Sequence, residues 1–471
     1  MLRNITTFLI ELTLIIWGVL SDADILFIIL MVLWVQLISY STSKLESRVI
    51  LLAFGISFFI FLLGREFLEQ YRLFVPDHIF KPLTDKHVYI CLNLSLISVW
   101  TAYALASRRI ALKNKTSIKR HKTERFSIGK VRHFSLVAFY ITYPFAIIIS
   151  IIITYFVARF GYSSYYIDFS EVLSGSPLLY LFSKLELVME SAFCIFLATF
   201  PPKKQFRRPG VCYIIYLALT LGSGQRSSFL LGLMLLFIFL VLMNGLHPSE
   251  NWFKRKYIVY CAIVFPIVAV GASLFNAWRF HEDYSEISFW KSFGNFFYEQ
   301  GVTSYIIKHA YELEKTIPPG TYTLEFLHSG VPAQLLGYEV YHGNTVDHAV
   351  HGGSFTHALG YTVMGKAYLA GRGTGSSYIA ELYYDFGYIG VILGSMLYGW
   401  LFSKVNNIQI GGVFQRSVIF ICIPKLLWAL RASFTGFLSY LSAPTTIALL
   451  LFVFLNSEKS RNHKTSRSLN K

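Results

Sequence analysis

Long apolar runs separated by short basic segments constrain this chain more than any other feature of its sequence. Most of the runs approach the roughly 20 residues that a helix needs to cross a bilayer. They lie at 5–20, 25–40, 49–64, 88–107, 134–158, 178–200, 210–223, 227–244, 257–275, 379–402, 417–432 and 440–455. Apolar segments of this length satisfy their backbone groups in lipid only as helices. The sequence therefore predicts an all-α polytopic membrane protein with about 12 transmembrane helices.

The composition agrees with a bilayer as the main solvent. Hydrophobic residues make up 54% of the chain and charged residues 14%, whereas a soluble domain has about 25% charged residues. The net charge of +16 is spread over short segments between the apolar runs and is not gathered on one folded face. Such segments meet anionic lipid headgroups. We therefore expect membrane lipids as partners and no nucleic acid.

The basic segments also predict which side of the membrane each loop occupies. Lys and Arg concentrate at 108–132, 201–210 and 254–256 and in the tail after residue 455. Basic loops stay in the cytoplasm, and twelve spans place all four segments there together with both termini. The chain then divides into four parts: transmembrane helices 1–9 at 1–275, a large periplasmic loop at 276–378, transmembrane helices 10–12 at 379–455, and a basic cytoplasmic tail at 456–471.

Neither the cysteines nor the histidines show the spacing of a metal site. The five cysteines lie inside apolar runs, where they behave as small buried hydrophobes. The histidines of the external loop match no zinc motif, and among them are His342, His348, His351 and His357. We therefore predict no metal and no cofactor, and keep His351 as a candidate general base.

Five cations are candidates for binding an anionic substrate. An ionisable group inside a span costs several kcal/mol and is a functional hypothesis by default, and arginine matches phosphate oxygens with a planar fork. Snorkelling or anchoring at the membrane interface is the alternative interpretation. The candidates are Arg226 after the glycine-rich break at 222–225, Arg279 after the ninth run, Arg372, Lys425 and Arg431.

The sixth apolar run also contains three charged residues. Glu186 and Glu190 are four residues apart and so share one face of a helix. Lys184 lies beside them in the sequence. We favour an internal salt bridge among these three residues over a functional role.

The sequence from 371 to 390 reads Gly-Arg-Gly-Thr-Gly-Ser-Ser-Tyr-Ile-Ala-Glu-Leu-Tyr-Tyr-Asp-Phe-Gly-Tyr-Ile-Gly. It resembles the closing signature of the O-antigen polymerases, the Wzy-type polymerases of oligosaccharide repeat units in bacteria. The turn at 224–226 and the position of Arg279 are similar to two further points of that family. The plan of many spans with one large late external loop is similar to the family over the whole chain.

The resemblance implies a glycosyltransferase of the bacterial inner membrane with a periplasmic active site and no nucleotide-sugar donor. It would join a glycan from an undecaprenyl-pyrophosphate carrier to a new lipid-linked repeat unit, with a chain-length regulator and a flippase as partners. The cations would bind the pyrophosphate as it leaves. Glu381, Asp385 or His351 would take the proton of the acceptor hydroxyl, although the two carboxylates have pairing with arginines as an alternative role.

Three other functions stay open at the level of sequence. One is a structural or sensory membrane protein, which would not need so many buried cations. An O-antigen ligase would use the same pyrophosphate chemistry with a different acceptor. A flippase or transporter of lipid-linked oligosaccharide would have balanced halves and short loops. The long external segment at 276–378 counts against the transporter.

Overall fold

In a computed structural model of the protein, the described residues fold mainly as helices. The structure describes residues 2–116, 125–161, 164–165, 169–223, 226–254, 256–257, 260, 263, 265–267, 270–271 and 288–459. Apart from an isolated bridge between Phe126 and Glu458, the regular elements of these residues are helical.

Some helices are long spans and others are short external turns. We number the longer and shorter α-helices together, in chain order: α1 (Leu2–Leu20), α2 (Ile25–Thr42), α3 (Leu45–Phe58), α4 (Gly64–Gln70), α5 (Pro82–Thr116), α6 (Ile128–Phe160), α7 (Phe169–Gly175), α8 (Pro177–Ala198), α9 (Lys203–Thr220), α10 (Arg226–Leu246), α11 (Phe289–Gln300), α12 (Thr303–Glu312), α13 (Gly330–Leu336), α14 (Val346–His351), α15 (Phe355–Met364), α16 (Lys366–Leu369), α17 (Tyr378–Asn406), α18 (Val413–Trp428), α19 (Gly436–Leu441) and α20 (Pro444–Leu455).

The described residues contain eight helical stretches long and apolar enough to cross a membrane. They are Arg3–Leu20, Ile25–Thr42, Leu45–Gln70, Pro82–Leu112, Ile128–Phe160, Ser227–Leu246, Tyr378–Asn406 and Val413–Arg431. The predicted runs at 178–200, 210–223 and 440–455 also fold as helices, namely α8, α9 and the shorter α20. Most of the run at 257–275 lies outside the described residues. The all-α polytopic fold is confirmed, and the number of spans stays a prediction.

Basic segments meet at one end of the helix bundle. The amide of Ser127 donates to the carbonyl of Ser457 at 2.8 Å, which joins the start of α6 to the segment after α20. The guanidinium of Arg132 donates to the carbonyl of Thr199 at 3.0 Å. The ammonium of Lys203 donates to the carbonyl of Glu250 at 3.1 Å. Segments that the charge pattern assigns to one side of the membrane thus lie together.

The external segment folds as a series of short helices, from α11 to α16, over the part that the structure describes. The amphipathic stretch near 289–314 forms α11 and α12, and a 3-10 helix follows at Tyr322–His328. This part of the chain is therefore a folded cap on the bundle and not an irregular loop. Its contacts with α4, α5 and α17 build the candidate site.

Candidate functional site

The start of α17 holds together the end of the bundle that carries the short helices α11 to α16. The side chain of Glu381, fully buried, accepts a hydrogen bond from the Ser376 hydroxyl at 2.6 Å. Its second oxygen accepts one from the amide of Phe434 at 2.8 Å. Glu381 therefore ties the residues before α17 to the segment that follows α18.

Asp385, one turn further along α17, anchors a second external segment. Its carboxylate accepts hydrogen bonds from the amides of Tyr322 at 3.2 Å and Thr323 at 2.8 Å. The hydroxyl of Thr323 adds a third at 2.7 Å. Thr435 then donates to the carbonyl of Thr323 at 2.9 Å, which closes a loop of contacts with the Glu381 anchor.

These contacts give the two carboxylates an anchoring role, and the partners are backbone amides and hydroxyls in place of the arginines that the sequence suggested as the alternative. Both oxygens of each carboxylate are already engaged in these hydrogen bonds. The role of Glu381 and Asp385 as general bases stays a prediction.

Three glycines of the 371–390 signature have a backbone conformation that other residues rarely adopt. Gly371 has φ of +85°, Gly375 has φ of +79° and Gly387 has φ of +62°. Gly387 breaks α17, so that Leu382 lies against Gly390 and Gly394. Gly375 lies beside the carbonyl of Arg431. The signature thus sets the path of the chain over the end of α18.

Arg431 is a predicted cation that lies close to the signature. Its guanidinium donates to the side-chain oxygen of Gln300 at 2.8 Å and lies 5.9 Å from the ring centroid of Phe61. Phe61 belongs to a π-helical turn, Phe59–Leu63, that joins α3 to α4, and such turns are frequent at functional sites. Arg431 therefore lies where α11, α18 and the α3–α4 junction meet.

Arg372 and His351 are both exposed. The amide of Arg372 donates to the carbonyl of Ala367 at 3.0 Å, so this amide is already used and does not form part of an open anion-binding nest. No group of three or more potential metal ligands occurs among the described residues.

Lys425 lines a cavity inside the helix bundle, which we call the membrane cavity. Its walls come from α8, α9, α10, α18 and α19. The lining residues include Glu190, Tyr213, Ser228, Lys425 and Tyr440. The ammonium of Lys425 lies 5.2 Å from the ring centroid of Tyr440, so a cation and a carboxylate face one space.

Tyrosine hydroxyls contact the two glutamates of α8. The hydroxyl of Tyr216 lies 2.9 Å from Glu186 and 3.0 Å from Glu190. The hydroxyl of Tyr440 donates to the other oxygen of Glu190 at 3.2 Å. Lys184 lies 4.7 Å from the ring centroid of Tyr180 and is not part of an ion pair among the described residues. The salt bridge that the sequence favoured is thus replaced by hydrogen bonds to tyrosine.

The two remaining predicted cations are only partly described. Arg226 is the first residue of α10, and Ser228 in the first turn of the same helix lines the membrane cavity. The side chain of Arg226 lies outside the described residues, and so does the whole of Arg279. The backbone therefore brings the start of α10 and Lys425 to one cavity.

A match to a known protein family identifies the family of this chain. The family model of the O-antigen polysaccharide polymerase Wzy matches residues 2–461, nearly the whole chain. The chain belongs to this family. No curated protein and no solved structure matches it. The family resemblance that the 371–390 signature indicated is confirmed.

Membership of the Wzy family fixes the general activity. The family consists of O-antigen polymerases, membrane enzymes of the glycosyltransferase type that act on lipid-linked oligosaccharide repeat units. The apolar spans agree with a multi-pass membrane protein. The chain is therefore a membrane protein and a polymerase of O-antigen polysaccharide biosynthesis.

The polymerase also contains a buried ion cluster that the sequence did not reveal, which we call the outer ion network. Lys308 of α12 lies 2.9 Å from both Glu66 of α4 and Asp85 of α5. Tyr89 donates to Glu66 at 2.9 Å. Burial alone would lower the pKa of Lys308, but the charges of Glu66 and Asp85 outweigh it and hold the pKa above its usual value.

Arg65 extends the outer ion network toward α11. It lies 3.1 Å from Glu69 and 2.9 Å from Asp77. Its guanidinium is also within 3.9 Å of the ring centroids of Tyr298 and Tyr305. Since these tyrosines belong to α11 and α12, the network fastens the external helices to the spans. The only sequence signal was a cluster of charges directly after the apolar run at 49–64.

A histidine pair in the external segment is the second feature that the sequence missed. The rings of His348 and His357 stack with centroids 3.6 Å apart, and His357 Nδ1 lies 2.8 Å from the Tyr368 hydroxyl. Burial and the neighbouring His348 lower the pKa of His357 to about 4. His357 is therefore neutral near pH 7. His351, one of the three predicted bases, lies three residues after His348 at the end of α14.

Proposed function

We propose that this polymerase transfers a growing glycan from undecaprenyl pyrophosphate to the non-reducing end of the next lipid-linked repeat unit. The match of residues 2–461 to the O-antigen polymerase family carries the proposal. The membrane cavity adds a place where a lipid-linked anion would meet a cation without leaving the bundle. No nucleotide sugar takes part, because the lipid pyrophosphate is itself the activated leaving group.

The pyrophosphate is the part of the substrate that needs protein charge. Negative charge grows on it as the glycosidic bond breaks, and a preorganised cation stabilises that charge. Lys425 faces the membrane cavity, and Arg431 lies under the signature loop. Arg226 at the start of α10, Arg279 and exposed Arg372 complete the set that we propose for binding the substrate.

We place the reaction on the periplasmic side of the bacterial inner membrane, with both termini in the cytoplasm. The Lys and Arg distribution supports this orientation, and the contacts between the basic segments support their lying on one side. The folded external segment then lies in the periplasm. A chain-length regulator and a flippase are the partners that such a reaction would need.

Deletion of the gene tests the reaction class. A polymerase defect should leave surface glycan that consists of a single repeat unit, since synthesis, export and attachment of that unit continue. The glycan ladder on a gel measures this. Loss of the single unit as well would contradict the proposal and favour the ligase or the flippase.

Replacement of two arginines tests the binding part of the proposal. We expect Arg226→Ala and Arg279→Ala each to lower polymerisation by about a hundredfold, because each removes a charge contact to the leaving group. Lysine should restore activity only in part, since it keeps the charge and loses the planar fork. The ladder is compared with a membrane blot for the tagged protein. Full ladders from both alanine variants would remove these residues from the site.

A further inference from the structure

The polymerisation reaction needs a group that accepts the proton of the acceptor hydroxyl. Two of the three predicted bases, Glu381 and Asp385, already accept hydrogen bonds from the external segments. The third, His351, is exposed at the end of α14. None of the three lines the membrane cavity. The cavity that holds Lys425 contains a different carboxylate.

Glu190 is that carboxylate. It lines the membrane cavity together with Lys425, so the two opposite charges that a glycosyl transfer needs share one space. The two residues form no ion pair with each other among the described residues. A carboxylate in a bilayer-embedded bundle is costly to keep and is a functional hypothesis by default.

The hydroxyls of Tyr216 and Tyr440 hold Glu190 in place. They contact different oxygens of the carboxylate, at 3.0 Å and 3.2 Å. Ser191 in turn lies 3.5 Å from the Tyr440 hydroxyl. These neutral donors orient the carboxylate, and no cation of the described residues forms an ion pair with it. A base must be fixed in this way and still be free to take a proton.

We propose that Glu190 is the catalytic base of the polymerisation. The oxygen of the acceptor sugar hydroxyl forms a bond to the anomeric carbon of the donor glycan. The bond between that carbon and the pyrophosphate oxygen breaks, and its electron pair leaves with the pyrophosphate, beside Lys425. The hydroxyl proton goes to an oxygen of Glu190. This assignment rests on the function proposed above.

Glu186 provides a matched control on the same helix. It lies one turn before Glu190 and contacts the same Tyr216 hydroxyl, but it is absent from the lining of the membrane cavity. A structural role of the glutamate pair would make the two residues similarly sensitive to substitution. A catalytic role singles out Glu190.

The experiment uses the full-length protein in lipid nanodiscs and lipid-linked repeat units extracted from a strain that lacks the gene. We expect Glu190→Gln to lower kcat by about 10²–10⁴-fold, with KM and the thermal midpoint close to the wild type. Glu190→Asp should keep measurable activity and the decline of rate at acidic pH that marks a titrating base, and Glu190→Gln should lose that decline. Glu186→Gln should stay within about tenfold of the wild-type rate.

Three results would overturn the assignment. They are a Glu190→Gln rate above a tenth of the wild type, an equal loss in Glu186→Gln, and a change confined to KM. The wild type separates this failure from failure of the proposed function. If the wild-type protein does not polymerise the extracted units, the function is wrong. If it does and Glu190→Gln does too, only the role of Glu190 is wrong.

Discussion

The outer ion network and the membrane cavity both hold charged side chains between helices, but those charges have different kinds of partner. In the network, Lys308 lies 2.9 Å from each of two carboxylates, and Arg65 has two more as partners. In the cavity, Lys425 contacts a tyrosine ring, and Glu190 accepts hydrogen bonds from neutral hydroxyls.

This difference separates structural charges from those available to a substrate. Charges that neutralise one another within the protein have little electrostatic attraction left for a ligand, and removing one leaves its partners buried and unpaired. Charges that share a cavity without pairing can stabilise a charge that arrives from outside. The network should therefore govern stability, and the cavity should govern rate.

Lys308→Met should have the largest effect and should act on stability. It leaves Glu66 and Asp85 without their cation, a loss of about 3–5 kcal/mol for a buried pair. Thermal unfolding in detergent measures the change. Lys315→Met, at an exposed site three residues after α12, is the control and should shift the midpoint little. A Lys308→Met protein as stable as the wild type would show that the network does not hold the external helices to the spans.

Lys425→Ala should act on rate instead. Removal of one preorganised contact to a developing charge costs about 3 kcal/mol, roughly a hundredfold in kcat, while the unfolding midpoint stays near the wild type. Lys404→Ala removes a lysine from the last turn of α17 and is the control for the loss of a lysine. A Lys425→Ala variant that is fully active but unstable would reverse the comparison between the two regions.

The histidine pair should have the smallest effect, because it holds no formal charge near pH 7. The pKa of His357 in the folded protein, about 4, is below the ordinary value of 6.5, so the unfolded chain binds the proton first. The contribution of His357 to the free energy of unfolding is then fully present above pH 6.5. It falls by about 2 kcal/mol as the pH drops toward 4, after allowance for the partly exposed ring.

Thermal midpoints measured from pH 7.5 to pH 4 test this expectation, and His357→Gln should flatten the curve over that interval. His342→Gln, a substitution in the same external segment outside the stacked pair, should keep the wild-type slope. An unchanged slope in His357→Gln would mean that His357 does not titrate as its burial implies.

Local sequence predicted the helices well and their ends poorly. The apolar run at 49–64 gave one span, but the helical stretch continues to Gln70. Glu66 would be costly at that depth alone, and it is stabilised by Lys308, more than two hundred residues away in the chain. Periodicity and hydropathy describe neighbours along the chain, so a partner at this separation leaves no trace in them.

The same limit applies to the site. The cost of an ionisable group in a span singled out Lys425, which lines the membrane cavity, and its role stays a prediction. It did not show that Tyr216 and Tyr440 would surround Glu190, because three helices supply these residues. Glu381 was chosen for its place in the signature, and its partner Phe434 lies beyond the next span.

The Asp385 anchor has a consequence for exchanging parts between members of the family. The Asp385 carboxylate binds the segment at 322–323 chiefly through hydrogen bonds from two backbone amides. Every residue except proline has a backbone N–H that can donate in this way. The anchor therefore tolerates almost any local sequence, provided that the chain arrives with the same geometry. In a chimera that joins a foreign external segment to these spans, the foreign segment should pack correctly against α17. The conditions are the same spacing from α12 to residues 322–323 and a hydroxyl residue at the position of Thr323.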